Sequence, residues 1–319
     1  MRLRGWKLVV ISLALPACML LILATFFMNP DRIAAALARV SADYLVASIL
    51  SQLTAMLLVG VALHLASRRR MELGDLLALH CAGYTLASIT PGKVGYMAVS
   101  MLASDPPLLL SAMLVIQAVT VAVRVVALLG LASYISSYAS LMPTLTFNIA
   151  LAVAAAVFIL VLMSDRAWLL VDHYLPSRLE GLARRLRESL VSSVRSCRLA
   201  VLLVFLSWPF TALRWYLIFR SMSLKVDPLL VVLLHPVLYV TAFMPVSPGG
   251  LGVTEAVGSM LQPLLGVSRE AIFTSILLDR LAEIAPSFPF LALLPLRFEV
   301  RVKDVVRIAT LLQRGEECR

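Results

Sequence analysis

The chain contains one short pattern twice: TPGKVG at Thr90–Gly95 and SPGGLG at Ser247–Gly252. In both places a hydroxyl side chain precedes Pro-Gly, a second glycine follows three residues later, and the surrounding sequence is apolar. Proline removes a backbone donor and glycine relaxes the backbone, so each pattern predicts a break in a helix. In lipid, such a break survives only where it is buried in protein or lines a wet cavity. Paired breaks in two halves of a chain therefore indicate a transport site.

The composition is typical of a membrane protein. Of the 319 residues, 61% are hydrophobic and 14% are charged, and the mean hydropathy is +0.94. A soluble domain is roughly 45–50% apolar and ~25% charged. We therefore expect an all-α integral membrane protein in which residues 1–319 form a single polytopic domain. The net charge of +10 lies in loops between apolar segments, where basic residues set topology and attract anionic lipids. Membrane lipids are thus the expected partners, and nucleic acid is not.

The sequence lacks the motifs of common cofactor sites and catalytic centres. It contains no Walker A sequence, no GxSxG, no HExxH and no dinucleotide fingerprint. Its four cysteines form no CxxC pair, so no disulfide framework is predicted, and no metal site is expected either. We expect no cofactor, no ATP hydrolysis and no enzyme activity from this chain.

Apolar runs long enough to cross a bilayer predict about six transmembrane helices. They are Leu8–Met28, Tyr44–Ser67, Leu108–Tyr134, Thr146–Ser164, Leu199–Arg220 and Ala271–Leu296. The first run follows basic residues, as in a signal peptide, but its length of about 21 residues favours an uncleaved helix. Four shorter apolar pieces of 11–16 residues flank the two patterns and fall below the ~20 residues that a span needs. They are Leu76–Ile89 and Val94–Ser104 around the first pattern, and Leu229–Met244 and Val253–Leu265 around the second.

The distribution of cations orients the shorter pieces. Arg68–Arg70, seven arginines within residues 165–198 and six cations after Leu296 indicate cytoplasmic segments. The connection 135–145 carries no charge and is expected outside. The pieces at 76–104 then form a re-entrant hairpin that opens inward, and those at 229–265 form one that opens outward, as in an inverted repeat. Two ordinary pairs of full-length helices with kinked connections are the alternative.

This topology divides the chain into segments with separate roles. The first half is 1–164, a cytoplasmic amphipathic basic segment covers 165–198, the second half is 199–296, and 297–319 is a cytoplasmic tail. Both termini are predicted to lie in the cytoplasm of a multi-pass plasma-membrane protein.

Several charged residues lie within the apolar regions, where a charge costs at least ~2.5–3.5 kcal/mol unless it is compensated. Lys93 begins a half-helix whose N-terminus favours anions, so it is a candidate phosphate contact or else a lysine that reaches water. Glu255 begins the other half-helix and either serves the site or only caps that helix. Asp279, Arg280 and Glu283 share one helix face, which is expected to face the interior rather than to lie beneath the outer interface.

Two further arginines lie within predicted spans. Arg124 shares a helix face with Gln117 and Thr120. Either Arg124 or Arg214 can neutralise one of the carboxylates, Glu255 or Asp279. The alternative role for these arginines is to bind a lipid phosphate bidentately. The pairs His80/Tyr84 and His235/Tyr239 precede the two breaks and are expected to be hydrogen-bonded packing. The candidate substrate-binding residues are Pro91, Gly92, Lys93, Gly95, Arg124, Arg214, Pro248, Gly249, Gly250, Gly252, Glu255, Asp279, Arg280 and Glu283.

At these residues the chain resembles the flippase-like transmembrane domain of lysylphosphatidylglycerol synthases, a family that also occurs as stand-alone membrane proteins and fused to glycosyltransferases. The resemblance is carried by Thr90–Gly95, by PVSPGGLGVTE at Pro245–Glu255, by Leu265–Val267 and by Arg280. It covers roughly residues 5–300 and implies lipid translocation. Tyr96 stands where the family often has an acid, and Thr254 where it often has arginine. The soluble aminoacyl-transferase part of the synthases has no counterpart in this sequence, so lysyl transfer is not expected.

The leading hypothesis is a translocator of a phospholipid or lipid-linked precursor that is not itself driven by ATP. Its expected partners are anionic or phosphate-bearing lipids, and the hairpin tips are expected to meet near mid-membrane. One alternative is a secondary transporter of a small anionic solute. The other is a non-transporting membrane partner of a separate lipid-modifying glycosyltransferase or synthase, which the basic stretch Arg184–Arg198 would contact.

Overall fold

The computed structural model describes residues 28–88, 90, 94–134, 146, 153, 188–189, 198–242, 249–290, 294 and 298. Within these residues the regular structure is helical and includes no strand. The elements are α1 (Pro30–Ala38), α2 (Ala42–Ala66), α3 (Leu73–Ser88), α4 (Val94–Ala98) with a 3-10 turn at Val99–Leu102, α5 (Pro106–Tyr134), α6 (Arg198–Ser221), α7 (Pro228–Thr241), α8 (Val253–Ser259), α9 (Gln262–Leu265) and α10 (Arg269–Ile284). The predicted spans 8–28 and 146–164, the basic segment 165–198 and the tail 297–319 lie almost entirely outside the described residues.

Three of the described helices are long and apolar enough to cross a membrane: α2, α6 and the part of α5 up to Arg124. Their bounds agree with the predicted spans to within two residues at every end. Among the described helices, α2 and α6 form the most extensive pair. The prediction of an all-α membrane protein is confirmed.

The surface of the long helices supports burial in lipid. On α6 the exposed large side chains include Leu199, Leu202, Phe205 and Leu213, and α2 exposes Leu50 in the same way. Soluble monomers rarely expose large apolar patches. These exposed apolar side chains are suited to contact with acyl chains.

Both Pro-Gly patterns coincide with the predicted helix breaks. α3 ends at Ser88 and α4 begins at Val94, while α7 ends at Thr241 and α8 begins at Val253. Residues 91–93 and 243–248, which contain the prolines, lie outside the described residues. The piece expected at Val253–Leu265 consists of two helices, α8 and α9.

The last predicted span, Ala271–Leu296, is wrong as one continuous helix. α10 ends at Ile284, and residues 285–287 form a turn. The cause is Pro286, which has no N–H for the next helical hydrogen bond and disfavours helical backbone at Ala285. The turn is joined to α3, because the hydroxyls of Ser287 and Thr85 lie 2.8 Å apart.

Helix α1 was not predicted, because its nine residues are too few for a span. Its start nevertheless follows ordinary capping rules. The side chain of Asn29 accepts hydrogen bonds from the N–H groups of Asp31 and Arg32, and Pro30 occupies the first turn. The helix packs against α10, so it lies beside the segment that carries the charged residues of the site.

Two apolar clusters support the site from either side. One joins α6, α7 and α10 around Trp215 and Phe219, and the other joins α2, α3 and α5 around Leu79 and Met113. All four of these side chains are fully buried. At roughly 1.5–3 kcal/mol for each buried large apolar side chain, the clusters can hold charged groups in fixed positions between them.

Candidate functional site

The two Pro-Gly breaks contact each other directly. The N–H of Gly249 donates a hydrogen bond to the carbonyl oxygen of Thr90 at 3.2 Å. The approach is close enough that a Cβ atom on Gly249 would lie 2.8 Å from the carbonyl oxygen of Ser88, and the φ of Gly249 is +56°. Both conditions require glycine here. The two patterns therefore lie in contact, whereas their place at the tips of re-entrant hairpins and their depth in the membrane stay predictions.

The hydroxyl in the first pattern has a structural role. Thr90 donates from its hydroxyl to the carbonyl of Leu86 at 2.8 Å and accepts from the N–H of Gly95 at 2.8 Å. The side chain of Thr90 therefore provides a hydrogen-bond partner for a carbonyl in the last turn of α3 and for an N–H in the first turn of α4. Gly95 is required because a Cβ there would meet the carbonyl oxygen of Leu86.

The second pattern is fixed by Glu255, which has two kinds of contact. One carboxylate oxygen accepts from the N–H of Gly252 at 2.7 Å, and the other accepts from Nε of Arg280 at 2.6 Å. Arg280 also donates from Nη1 to the carbonyl of Gly249 at 2.8 Å. The helix-capping role and the ion-pairing role of Glu255 are thus both present. Arg280 connects this carboxylate to the tip that contacts the first break.

A second ion pair lies deeper among the helices. Arg214 on α6 donates to both carboxylate oxygens of Asp279 on α10, at 2.7 and 2.6 Å. Its remaining terminal nitrogen donates to the side-chain oxygen of Gln52 on α2 at 2.5 Å. Arg214 and Gln52 are buried, and Asp279 is only 8% exposed. Of the pairings that the sequence suggested, the structure has Arg214 with Asp279. Glu255 pairs instead with Arg280, a partner that the sequence did not suggest.

Arg124 on α5 lies against an aromatic ring. Its guanidinium carbon is 3.3 Å from the ring centroid of Tyr239, and its Nη1 donates to the carbonyl of Thr120 at 3.2 Å. The hydroxyl of Tyr239 in turn donates to Gln117 at 3.0 Å. A cation on a ring face is stabilised by the ring quadrupole, by ~2 kcal/mol or more where it is desolvated. The predicted face of Gln117, Thr120 and Arg124 thus contacts α7.

Arg124, Arg214, Tyr239, Asp279 and Arg280 line one shared cavity that is open at one side. Asp279, Arg280 and Glu283 all line it, so their predicted placement toward the interior is confirmed. Among the described residues, the lining consists of Gln52, Tyr84, Ser88, Arg124, Thr211, Arg214, His235, Leu238, Tyr239, Ala242, Gly249, Thr254, Ile276, Asp279, Arg280 and Glu283.

The remaining predicted residues divide into two groups. Gly250 and Gly252 adopt positive φ, +73° and +83°, and shape the turn before α8 rather than the cavity wall. Pro91, Gly92, Lys93 and Pro248 lie outside the described residues, so a phosphate contact at Lys93 stays a prediction. Within the described residues, no group of three or more metal-ligating side chains lies together.

Gln52 is the main cavity residue that the sequence reasoning missed. It is completely buried in α2, and Ser48 and Ser51 are buried beside it. Three polar residues within one turn of an otherwise apolar span were a usable signal, because polar side chains in a membrane rarely face lipid.

The architecture is that of a known membrane family. The lysylphosphatidylglycerol synthase TM region matches residues 6–289. The chain belongs to this family. It is also 27% identical over 162 residues to a UPF0104 membrane protein of Pyrococcus horikoshii, a match that covers 42% of this chain and 48% of that relative. The match thus spans about half of the relative's length. No solved structure matches the chain.

This family member has a buried aromatic cluster behind the first break. The hydroxyl oxygen of Tyr96 lies 2.8 Å from Nδ1 of His80. The rings of His80, Tyr84 and Tyr96 pack edge to face, with centroids 5.1–5.8 Å apart. The expectation of hydrogen-bonded packing at His80 and Tyr84 is confirmed, and in this chain Tyr96 is part of that packing.

Proposed function

We propose that this protein moves a phospholipid or a lipid-linked precursor between the two leaflets of the plasma membrane. The observation that carries the proposal is the contact of two broken helices, Gly249 with Thr90, above a cavity that contains buried charges. Membership in a family defined by the membrane region of a lipid-modifying synthase supports a lipid as substrate.

The chemistry of the cavity fits this task. A lipid crosses slowly because its polar head group must leave water, and a cavity with fixed charges and hydrogen-bonding groups replaces part of that hydration. Arg124, Arg214 and Asp279 provide such groups. The apolar faces of α2 and α6 contact lipid, so acyl chains can remain in the bilayer while the head group passes through the protein.

The driving force is proposed to come from outside the chain. The sequence has no Walker A motif, so lipid movement is either equilibrative or coupled to an ion gradient. We propose no chemical reaction for the chain itself. A separate lipid-modifying enzyme is the proposed source or consumer of the lipid.

The proposed pathway is reached from both sides of the membrane. The hairpin at 76–104 opens to the cytoplasm and the one at 229–265 opens outward, with both termini cytoplasmic. Single cysteines at positions 91, 93, 248 and 250, in a chain whose four native cysteines are replaced, test this orientation. A membrane-impermeant thiol reagent should label 91 and 93 from the cytoplasmic side and 248 and 250 from outside. Equal labelling of all four from one side would contradict the opposed hairpins.

Reconstituted vesicles test the function itself. Labelled phosphatidylglycerol should become accessible to an impermeant quencher faster in vesicles with the protein than in vesicles without it. A labelled small anion is followed in parallel. Anion uptake without lipid movement would identify a solute transporter instead. If neither the lipid nor the anion moves, the remaining candidate function is that of a membrane partner for a lipid-modifying enzyme.

A further inference from the structure

The cavity wall carries three side-chain nitrogen donors that have no acceptor among the described residues. They are Nε2 of Gln52, Nε of Arg124 and Nη2 of Arg280. Buried polar groups in proteins nearly always have a hydrogen-bond partner, so each exception needs a reason. Here the three exceptions come from three helices, α2, α5 and α10, and belong to the lining of the same cavity.

The orientation of the Gln52 amide follows from its partner. Its side-chain oxygen accepts from Nη1 of Arg214 at 2.5 Å. Because a guanidinium group only donates, the oxygen of Gln52 must face Arg214, and the amide nitrogen must point away from it. Gln52 is 0% exposed. Its free donor is therefore buried.

Arg124 differs from the other two arginines of the cavity. Arg214 and Arg280 form ion pairs with Asp279 and Glu255. Arg124 is 5% exposed, and among the described residues its contacts are the ring of Tyr239 and the carbonyl of Thr120. The ring contact stabilises the positive charge but accepts no hydrogen bond from Nε. Glu283, which also lines the cavity, acts electrostatically on Arg124, but the Nε donor of Arg124 has no acceptor among the described residues.

We propose that Arg124, Gln52 and Arg280 form a binding site for a phosphate-class oxyanion inside the cavity. Oxyanions carry several strong acceptors, and arginine binds them with charge-assisted hydrogen bonds. The three donors come from three helices that line one cavity, and a phosphate group has enough acceptor oxygens to bind all of them. The choice between free phosphate and a lipid head group rests on the proposed function.

Binding to the purified full chain in maltoside detergent, which contains no phosphate, tests the site. The probes are inorganic phosphate and a water-soluble short-chain phosphatidylglycerol, titrated calorimetrically. Arg124→Gln and Gln52→Met should each weaken binding by about tenfold or more, since each removes a buried donor to a charged ligand. Arg39→Gln, at an exposed arginine at the end of α1, should bind like wild type.

Each outcome of the titration decides the matter. Binding that depends on Arg124, of both probes or of inorganic phosphate alone, supports a general phosphate site. Such binding of the short-chain lipid alone supports a head-group site. The proposal would be overturned if neither probe binds to folded wild-type protein. It would also be overturned if Arg124→Gln binds with wild-type affinity. If Arg124→Gln does not fold, Arg124→Lys and Gln52→Met are measured in its place. Wild-type affinity in both of those variants would overturn it equally.

The same variants in vesicles separate this site from the proposed function. If phosphate binding depends on Arg124 but labelled lipid does not move in wild-type vesicles, the function is wrong and the site stands. If wild type moves lipid and Arg124→Gln and Gln52→Met move it at the same rate, the function stands and the site is overturned.

Discussion

Arg280 and the fully buried Glu255 form an ion pair, with 2.6 Å between Nε and Oε1, at the point where the two broken helices meet. The same guanidinium binds the carbonyl of Gly249, whose N–H binds the carbonyl of Thr90. A continuous chain of polar contacts therefore runs from α10 through the second break to the first. A substitution in this pair should therefore disturb the hydrogen bond between Gly249 and Thr90.

Glu255→Gln should lower the stability of the protein. Glu255 is 0% exposed, and the change leaves the guanidinium of Arg280 without its counter-ion. Because the side chain of Arg280 is 16% exposed and keeps its bond to Gly249, the loss should be about 1–3 kcal/mol, below that for a fully buried pair. Thermal unfolding of the detergent-solubilised protein measures the loss. Asp43→Asn, at an exposed carboxylate in the first turn of α2, is the control and should change stability by no more than about 0.5 kcal/mol. Equal effects of the two changes would show that the ion pair does not stabilise the fold.

Gly249→Ala should disturb the contact between the tips. Gly249 and Gly266 have similar φ values, +56° and +66°, but a Cβ on Gly249 meets the backbone of Ser88 and one on Gly266 meets nothing within 4 Å. Both substitutions carry the left-handed backbone penalty of ~1–2 kcal/mol. Gly249→Ala should lose a further ~1–3 kcal/mol from overpacking and should also alter transport. Identical unfolding temperatures for the two variants would contradict the tip contact.

Tyr96→Phe tests the cluster behind the first break. The substitution removes the hydroxyl that lies 2.8 Å from the fully buried His80, and leaving a buried group without its partner costs about 1–3 kcal/mol. Tyr44→Phe, at a tyrosine that is 39% exposed, should have almost no effect. Because Tyr96 lies outside the cavity wall, stability should fall while lipid movement at a permissive temperature is unchanged. Loss of transport in a folded Tyr96→Phe protein would give this residue a role in the pathway.

The sequence was sufficient to locate the breaks, because proline and glycine act on the backbone locally. It was also sufficient to place the arc of Asp279, Arg280 and Glu283 toward the interior, since a charged helix face in lipid is costly wherever it lies. The described spans agree with the apolar runs for the same local reason.

The pairing of charges could not be derived from the sequence. Arg214 and Asp279 are separated by 65 residues, and Arg280 and Glu255 by 25, so which side chains meet depends on how the helices pack. Hydropathy alone also predicted one continuous helix from α10 through the residues after it, although Pro286 indicates that the helix ends there. The capping sequence Asn29-Pro30-Asp31 likewise marked the start of α1.

Replacing both members of the deeper ion pair separates folding from function. Arg214→Met or Asp279→Leu alone leaves a buried charge and should cost about 3–5 kcal/mol. The double variant leaves no such charge and should regain most of the lost stability, because apolar replacements of a buried pair are often neutral or stabilising. Unfolding of the four proteins in a double-mutant cycle gives the coupling energy. Additive losses would contradict a direct pair.

The most direct test of the central claim uses this double variant in the lipid assay. The claim is that the charges of the cavity carry the head group across the membrane. Vesicles with wild-type protein should expose labelled phosphatidylglycerol to the quencher faster than protein-free vesicles. Vesicles with stably folded Arg214→Met/Asp279→Leu protein should match the protein-free rate. A double variant that moves lipid as fast as wild type would contradict the claim.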